Sequence, residues 1–479
     1  MGLISSVRWV ALSQAVRVGS QLVSMGVLAR LLPPDSYGLM AMAMTVTNLA
    51  YLFRDLGTMV AIVQRPQVSP TLVSTLFWLN TALAAAIALL LGVGAAPIAR
   101  AYGQPQLAPL VGALSLAFPI SSLGAVQQAL LERDARFRVL ARIEAVSALC
   151  ALSLALALAW CGAGVWSLVA QMLVATALTT VQSMRALPWR PCKVFALDEL
   201  RSIFGFSAHF SLFQYVNYLE RNADSVIIGA ALGPGALGVY AIAAKVMLFP
   251  MQNITGVATR ALFPAMSRHQ GAREQLGRLY LRATRSISTV SAPLMAGLFF
   301  LREPFVALLL GPRWSGAAPV LKWLAAAGFI QAITASTGAV FMALGKTRLL
   351  LMLGVLGAAL QVAAFLIGVR WGIEGVAASF LAANLLNLLP ALAIVVSMLR
   401  IAPRAALRDI GTPVAAAGFM LLVLWLAQAG GVMALAGRAT GFALCIVIGA
   451  IAYAFALLVL LQQDLSDMRA LLRTSWAKP

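Results

Sequence analysis

Apolar stretches of about 20 residues recur along the chain near positions 9 to 31, 38 to 63, 71 to 98, 107 to 130, 140 to 160, 164 to 187, 204 to 231, 238 to 264, 286 to 309, 318 to 344, 349 to 369, 375 to 398, 411 to 428 and 440 to 461. Each is long enough for a helix to cross the hydrocarbon core of a bilayer. The pattern therefore predicts an all-α polytopic membrane protein of about 14 transmembrane helices. Connections are short, as at Cys161-Gly162-Ala163-Gly164 and Gly233-Pro234-Gly235. The longest inner one, Ser267 to Arg285, places Leu276, Leu279 and Leu281 at helical spacing among arginines. It reads as a helix lying along the inner leaflet or as a solvated loop helix.

The chain repeats itself at an offset of 200. Leu32, Pro34, Gly38, Ala41 and Ala43 recur as Leu232, Pro234, Gly238, Ala241 and Ala243. A proline and a glycine punctuating the same hairpin in both halves point to duplication. Six spans lie between the copies, and an even number preserves orientation. The halves are then parallel repeats about an axis along the membrane normal, with a cavity between them, which is a transporter's architecture. The expected organisation is an N-lobe of spans 1 to 6 over residues 1–200, a pseudo-symmetric C-lobe of spans 7 to 12 over 201–400, and two further helices over 401–479.

Polar residues inside the spans follow the same repeat. Ser13, Arg17, Ser20, Gln21 and Ser24 share one side of span 1, and Gln214, Asn217, Glu220, Arg221 and Asp224 share one side of span 7. At the offset of 200, Arg17 overlies Asn217, Gln21 overlies Arg221 and Ser24 overlies Asp224. Charges at bilayer depth are costly, so they face protein or water and mark a pathway. The bases within spans are Arg17, Arg54, Arg221, Lys245, Arg260 and Lys322; the acids are Asp55, Glu144, Glu220 and Asp224. Six bases against four acids leave a cationic cavity, suited to an anionic ligand. Guanidinium groups favour phosphate because their planar fork donates two hydrogen bonds. Structural roles stand beside this reading. Arg54 and Asp55 adjoin Gly57 and suit a cap on a break in span 2, Arg221 suits neutralisation of Glu220 or Asp224, and Arg260 and Lys322 suit snorkelling towards water.

Composition removes the soluble alternatives. Of the 479 residues, 61% are hydrophobic and 10% charged, with mean hydropathy +0.91. That excludes a soluble catalytic domain and a disordered chain. A formal charge of +20 would suggest nucleic acid in a soluble protein, but the basic residues here lie in short clusters between apolar blocks. With the N-terminus inside, 23 of the 35 lysines and arginines fall on inner segments and six on outer ones. The positive-inside rule then places both termini in the cytoplasm. Arg17 in the middle of the first stretch argues against a signal peptide. Cys150, Cys161, Cys192 and Cys445 have no metal spacing, and His209 and His269 are the only histidines. The sequence offers no catalytic constellation, no metal site and no cofactor beyond H+ or Na+ as coupling ion.

Several segments resemble a known family. Leu237 to Arg268 carries a Gly-aromatic start, Ala243-Ala244-Lys245, the mid-span Pro250 and a closing Leu262-Phe263-Pro264. This resembles the eighth-span signature of bacterial polysaccharide exporters, and the preceding Asn222 to Gly229 resembles the seventh-span Asp and Gly of that family. Leu28 to Pro33 with Tyr37-Gly38, Asp55-Leu56-Gly57 through Val63-Gln64-Arg65, Thr75 to Asn80, and Leu107 to Leu110 resemble Wzx-type flippases of the multidrug/oligosaccharidyl-lipid/polysaccharide superfamily, the colanic-acid-like branch in particular. The resemblance covers about the first 400 residues. It implies a two-lobed transporter of the bacterial inner membrane, not an enzyme, that moves an undecaprenyl-diphosphate-linked oligosaccharide repeat unit from the cytoplasmic to the periplasmic leaflet for exopolysaccharide, capsule or lipopolysaccharide O-antigen assembly. Its partners would be that lipid-linked substrate, membrane lipids, a polysaccharide polymerase and other assembly proteins, with no nucleic acid. On that role, Arg17, Gln21, Asn217, Arg221, Lys245 and Arg260 are expected to contact substrate, with Asp55, Glu220 and Asp224 as coupling or structural acids. A multidrug extruder and a lipid-II-type flippase of the same superfamily are the competing readings; the former would favour an acidic cavity.

Overall fold

Backbone groups in lipid have no water to bond, so an apolar run that crosses a membrane satisfies them internally as a helix. In the computed structural model, which describes residues 18–55, 59, 62–63, 68–196, 218, 221–252, 266, 273–432 and 437–475, every described element is helical. They are α1 (Val18–Leu31), α2 (Pro34–Asp55), α3 (Pro70–Ala101), α4 (Leu107–Arg133), α5 (Phe137–Trp160), α6 (Val165–Ala186) and α7 (Arg221–Gln252). There follow α8 (Arg273–Phe300), α9 (Arg302–Leu309), α10 (Ala317–Ala343), α11 (Thr347–Gly368), α12 (Gly372–Met398), α13 (Pro403–Ala429) and α14 (Arg438–Ser475).

Among the described residues nine helices are long and apolar enough to cross a membrane, or ten if the bent pair α8 and α9 forms one crossing. The protein is thus an all-helical polytopic membrane protein. Two of the nine runs are composite. Gly233 within α7 has φ 81°, a left-handed value foreign to a helix interior, so two segments meet at Gly233-Pro234. The run from Arg348 to Met398 contains α11 and α12, which pack on each other.

The chain divides into two compact units, Met1–Ala241 and Ile242–Pro479. In the first, α3 packs on α4, α4 on α6 and α5 on α6. In the second, α8 packs on α10, α10 on α12 and α11 on α12. The same order in both units is what duplication leaves behind. The turns repeat it in detail. After α4, Ala135 N–H donates to Glu132 O and Arg136 N–H to Leu131 O; after α10, Gly345 donates to Met342 O and Lys346 to Phe341 O. Both are Schellman turns with a left-handed residue at the helix end, Ala135 at φ 52° and Gly345 at φ 66°.

Each unit has its own apolar core. In the first, Leu28 and Leu32 pack with Leu152, Ala155 and Leu168, and Ile62, Leu72, Leu76, Phe77 and Val126 form a second cluster. An extended strap follows α6: Trp189 sets its edge on Phe77, Cys192 N–H donates to Ser74 Oγ at 3.1 Å, and Trp78 Nε1 donates to Cys192 O at 2.9 Å. In the second unit, α13 packs on α8 and α14 on α13, with Ala416, Met420, Leu424, Cys445 and Tyr453 at the seam. Between α8 and α10 runs a fully buried hydroxyl seam. Thr284 Oγ1 lies 3.1 Å from Ser336 Oγ, Ser291 bonds its own Ile287 O at 2.8 Å, and Ser288 Oγ has no partner among the described residues. Small hydroxyl side chains let membrane helices approach closely and bond across the contact.

The region expected as a leaflet-bound or solvated helix over Ser267 to Arg285 is different. From Arg273 onwards it is the beginning of α8 itself, with Leu276 and Tyr280 buried against Phe341, Val395 and Leu399. Leu276, Tyr280 and Thr284 continue at helical spacing the face that the apolar span buries, so the arginines between them do not end the helix. The span expected at 286 to 309 instead breaks after Phe300, where α9 departs at 78°. Pro304 in the first turn of α9 has no N–H to carry α8 onward. Arg302 caps the break by donating to Phe299 O at 2.7 Å.

Candidate functional site

The polar residues of the spans are the candidate site, and α2 contributes the best-defined one. Arg54 lies in its last turn, with its guanidinium 5.0 Å from the Tyr51 ring centroid and donating to Ser121 Oγ of α4. Tyr51 in turn stacks on Phe118 at 4.3 Å. The spacing of Tyr51 and Arg54 puts both on one helix face, and Phe118 and Ser121 present the matching pair on α4. Arg54 is therefore fixed by an aromatic face and a hydroxyl, two neutral groups, and forms no ion pair with any described carboxylate. Sequence reading offered Arg54 a capping role beside Asp55; the Asp55 side chain lies outside the described residues. The partner, Ser121, is a serine inside the apolar helix α4, a feature too common to single out.

On α7, Ser225 N–H donates to Asp224 Oδ1 at 2.6 Å, and the Tyr240 hydroxyl is within hydrogen-bonding reach of the same carboxylate. Asn222 Nδ2 donates to Tyr218 O at 2.9 Å, and the Tyr218 hydroxyl donates to Thr45 O of α2 at 2.7 Å. These bonds tie the start of α7 to α2 inside the first unit. Tyr102, just past α3, lies against Gly229, and burial holds its hydroxyl above the ordinary tyrosine pKa. Tyr102 and Tyr218 were not singled out from sequence, and Asn222 entered only as the first residue of the seventh-span resemblance.

The remaining expected residues are placed as follows. Gln21 is exposed on α1, whereas Ser24 on the same stripe accepts from Gln171 of α6 at 3.4 Å. The stripe therefore splits between an open face and a packed one. Arg221 and Lys245 are exposed on α7. Lys322 lies 5.0 Å from the Trp323 ring centroid. Arg17, Asn217, Glu220 and Arg260 lie outside the described residues. Among the described residues no three histidine, cysteine or carboxylate side chains are grouped to hold a metal, and the four cysteines are free.

This arrangement of helices has known counterparts. Over 96% of this chain and 99% of theirs, it superposes on a lipid II flippase MurJ in an inward closed conformation, with a TM-score of 0.77 at 14% identity. An inward-facing multidrug resistance MATE family transporter of the MOP superfamily gives a TM-score of 0.64 at 18% identity, over 80% of this chain and 95% of that one. At such identities the likeness concerns the fold alone. In sequence, the chain is 27% identical to the lipopolysaccharide biosynthesis protein WzxC of Escherichia coli over 80% of its own length and 79% of that protein's. It is 32% identical to the succinoglycan biosynthesis transport protein ExoT of Rhizobium meliloti over 67% and 65%. The family model described as polysaccharide biosynthesis protein matches residues 27–319, well over half of the sequence, and the chain belongs to that family.

Proposed function

We propose that the protein is a flippase of the bacterial inner membrane. It moves undecaprenyl-diphosphate-linked oligosaccharide repeat units from the cytoplasmic to the periplasmic leaflet by alternating access through a cationic cavity. The organisation that goes with this is 14 crossings, with six-helix lobes over 1–200 and 201–400, two further helices over 401–479, and both termini in the cytoplasm. H+ or Na+ is the coupling ion, and a polysaccharide polymerase and other assembly proteins receive the product.

The observation that carries the reading is Arg54, a guanidinium at the end of an apolar helix whose described neighbours are a ring and a hydroxyl. A cation so placed, without a described carboxylate, favours an anionic ligand, and a diphosphate fits its planar donors. Arg17, Arg221, Lys245 and Arg260, with Gln21 and Asn217, are proposed to share the contact with diphosphate and sugars. Asp55, Glu220 and Asp224 serve as coupling or structural acids. The excess of bases within the spans weighs against extrusion of cationic drugs. The relatives named for lipopolysaccharide and succinoglycan biosynthesis favour a polysaccharide precursor over lipid II.

The test is deletion of the gene followed by measurement of lipid-linked repeat units and their sidedness, using a sugar-specific label admitted to the periplasmic face of spheroplasts. Units held on the cytoplasmic side, and released by the intact chain, support flipping. Units that still reach the periplasm while only drug sensitivity changes would overturn it in favour of a multidrug extruder. Arg17→Ala and Arg221→Ala should each block surface polysaccharide at unchanged protein abundance; normal polymer from both removes those two from the site.

A further inference from the structure

The strap after α6 breaks the internal repeat. Where the second unit passes from Met398 of α12 to Pro403 of α13 in one short turn, the first unit leaves Ala186 of α6 by an extended segment over 187–196 that lies back on α3. Duplication does not account for that segment. Its place on α3 says what it faces. Trp78, Ala82, Leu89 and Val93 share one flank of α3 at helical spacing and are exposed, an apolar flank at bilayer depth that fits lipid. Ser74 and Thr75 carry the flank on towards the start of the helix, yet both are buried, with the strap laid over them. Cys192 N–H donates to Ser74 Oγ and Ala196 N–H to Thr75 Oγ1, each at 3.1 Å, and Trp78 Nε1 donates to Cys192 O at 2.9 Å. Irregular backbone is tolerated beside hydrocarbon only where its polar groups are bonded, and these side chains bond the inward side of the strap. Its other side is open. Val194 and Phe195 are 47% and 52% exposed. Arg190 and Lys193 are exposed as well, and neither forms an ion pair among the described residues.

We propose that the open side of the strap is a docking surface for the inner leaflet. Arg190 and Lys193 hold the phosphate of an anionic phospholipid, and Val194 and Phe195 enter the upper acyl layer beside it. Three features of the segment support this. It continues a flank of α3 that is apolar at bilayer depth, so what lies beyond it is membrane and not a protein surface. It sits at the helix ends that the charge distribution puts inside, where anionic headgroups attract each nearby lysine or arginine about fivefold. Its bases and its two large apolar side chains alternate within six residues, the pairing of charge at the headgroups with apolar burial that holds a segment in the interface. A bound lipid would then steady the stretch of chain by which the four-helix pack of α3 to α6 leads on towards α7.

The experiment uses the full chain with Cys150, Cys161 and Cys445 replaced by alanine, so that the exposed Cys192 of the strap alone carries a bimane fluorophore. The chain is placed in phosphatidylcholine vesicles. The quenchers are trace amounts of phosphatidylglycerol or phosphatidylcholine bearing a nitroxide high on one acyl chain. At about fivefold per base, phosphatidylglycerol should be preferred beside the strap by about 25-fold and quench correspondingly more. Arg190→Gln and Lys193→Gln should each cut that preference about fivefold, and the double variant should abolish it at unchanged Tm. Added salt should shrink it. Phe195→Ser should instead weaken quenching by both lipids. Equal quenching by the two lipids in the chain that keeps both bases overturns the headgroup recognition, and a preference that survives the double variant overturns its assignment to Arg190 and Lys193. Quenching by neither lipid shows a strap facing water or protein and overturns the docking itself. No cargo is present in this assay, so its outcome and that of the sidedness assay for flipping are independent.

Discussion

Replacing Arg54 gives the most direct test of the proposed anionic cargo. The guanidinium is fixed from two sides, by the Tyr51 ring at 5.0 Å and by Ser121 Oγ, so its remaining donors have a set direction. On the proposed reading, Arg54→Ala removes one charge-assisted interaction with the cargo, worth about 1.5–3 kcal/mol. At about 1.4 kcal/mol per decade, flipping should slow by about 10- to 150-fold. Arg54→Lys keeps the charge but loses the fork and the stack, and should fall between Arg54→Ala and the parent. Ser121→Ala keeps the charge and the stack and loosens only one donor; a single hydrogen bond at about 0.5–1.5 kcal/mol corresponds to about a 2- to 12-fold loss. The assay is initial rate of label accessibility on lipid-linked units in spheroplasts, normalised to the protein in the membrane. Export unaffected by Arg54→Ala refutes the reasoning. So does a loss that follows thermal stability through the series, because then the arginine only joins α2 to α4.

Stability measurements in detergent test the packing described above. A Cβ on Gly124 of α4 would lie 2.9 Å from Thr180 Cα of α6, so Gly124→Ala should destabilise by about 1–3 kcal/mol. Gly112→Ala, in the same helix with nothing within 4 Å, should stabilise by about 0.5–1 kcal/mol; the two opposite shifts in Tm are the signature, and equal shifts contradict it. Ala135 and Arg400 end α4 and α12 at φ 52°, so Ala135→Gly and Arg400→Gly should each raise Tm, relieving up to about 1–2 kcal/mol of left-handed strain. Arg285 lies 3.5 Å from Asp409, linking α8 to α13 with both side chains mostly covered; Asp409→Asn should cost about 1 kcal/mol, and a charge swap at both positions that recovers none of it would argue against the pair. Tyr453→Phe deletes the 2.8 Å bond to Thr289 O and should cost about 1 kcal/mol by thermal unfolding.

Much of the helical order was legible because span length and hydropathy are set by the bilayer and not by tertiary partners. The stretches read at 71 to 98, 140 to 160, 164 to 187 and 349 to 369 match α3, α5, α6 and α11 to within about three residues. The family resemblance read from the signature segments agrees with the family matched over residues 27–319. Sequence misplaced the start of α8 because arginines at 273, 278 and 282 look like a solvated connection, while the helix carries its buried face straight through them. It missed the break at Leu301 although Arg302, Glu303 and Pro304 interrupt the run there, because apolar residues resume at Phe305. The Pro-Gly repeat was visible as a pattern, but that its copies touch depends on backbone approach, which no residue type announces. Arg54 was flagged as buried charge, yet its partner Ser121 lies 67 positions away and carries no charge to mark it.

The hydroxyl seam between α8 and α10 has a consequence for how the protein is made. Thr284 and Ser336 are 52 residues apart in the chain, and a ribosome adding about 5–20 residues per second needs about 3–10 s to supply the second after the first. During that interval α8 waits in or beside the translocon with its hydroxyls facing no helix. Ser291 shelters itself by bonding Ile287 O. Ser288, without a partner among the described residues, does not, so the release of α8 into lipid is expected to follow the arrival of α10, the helix that meets its hydroxyl face.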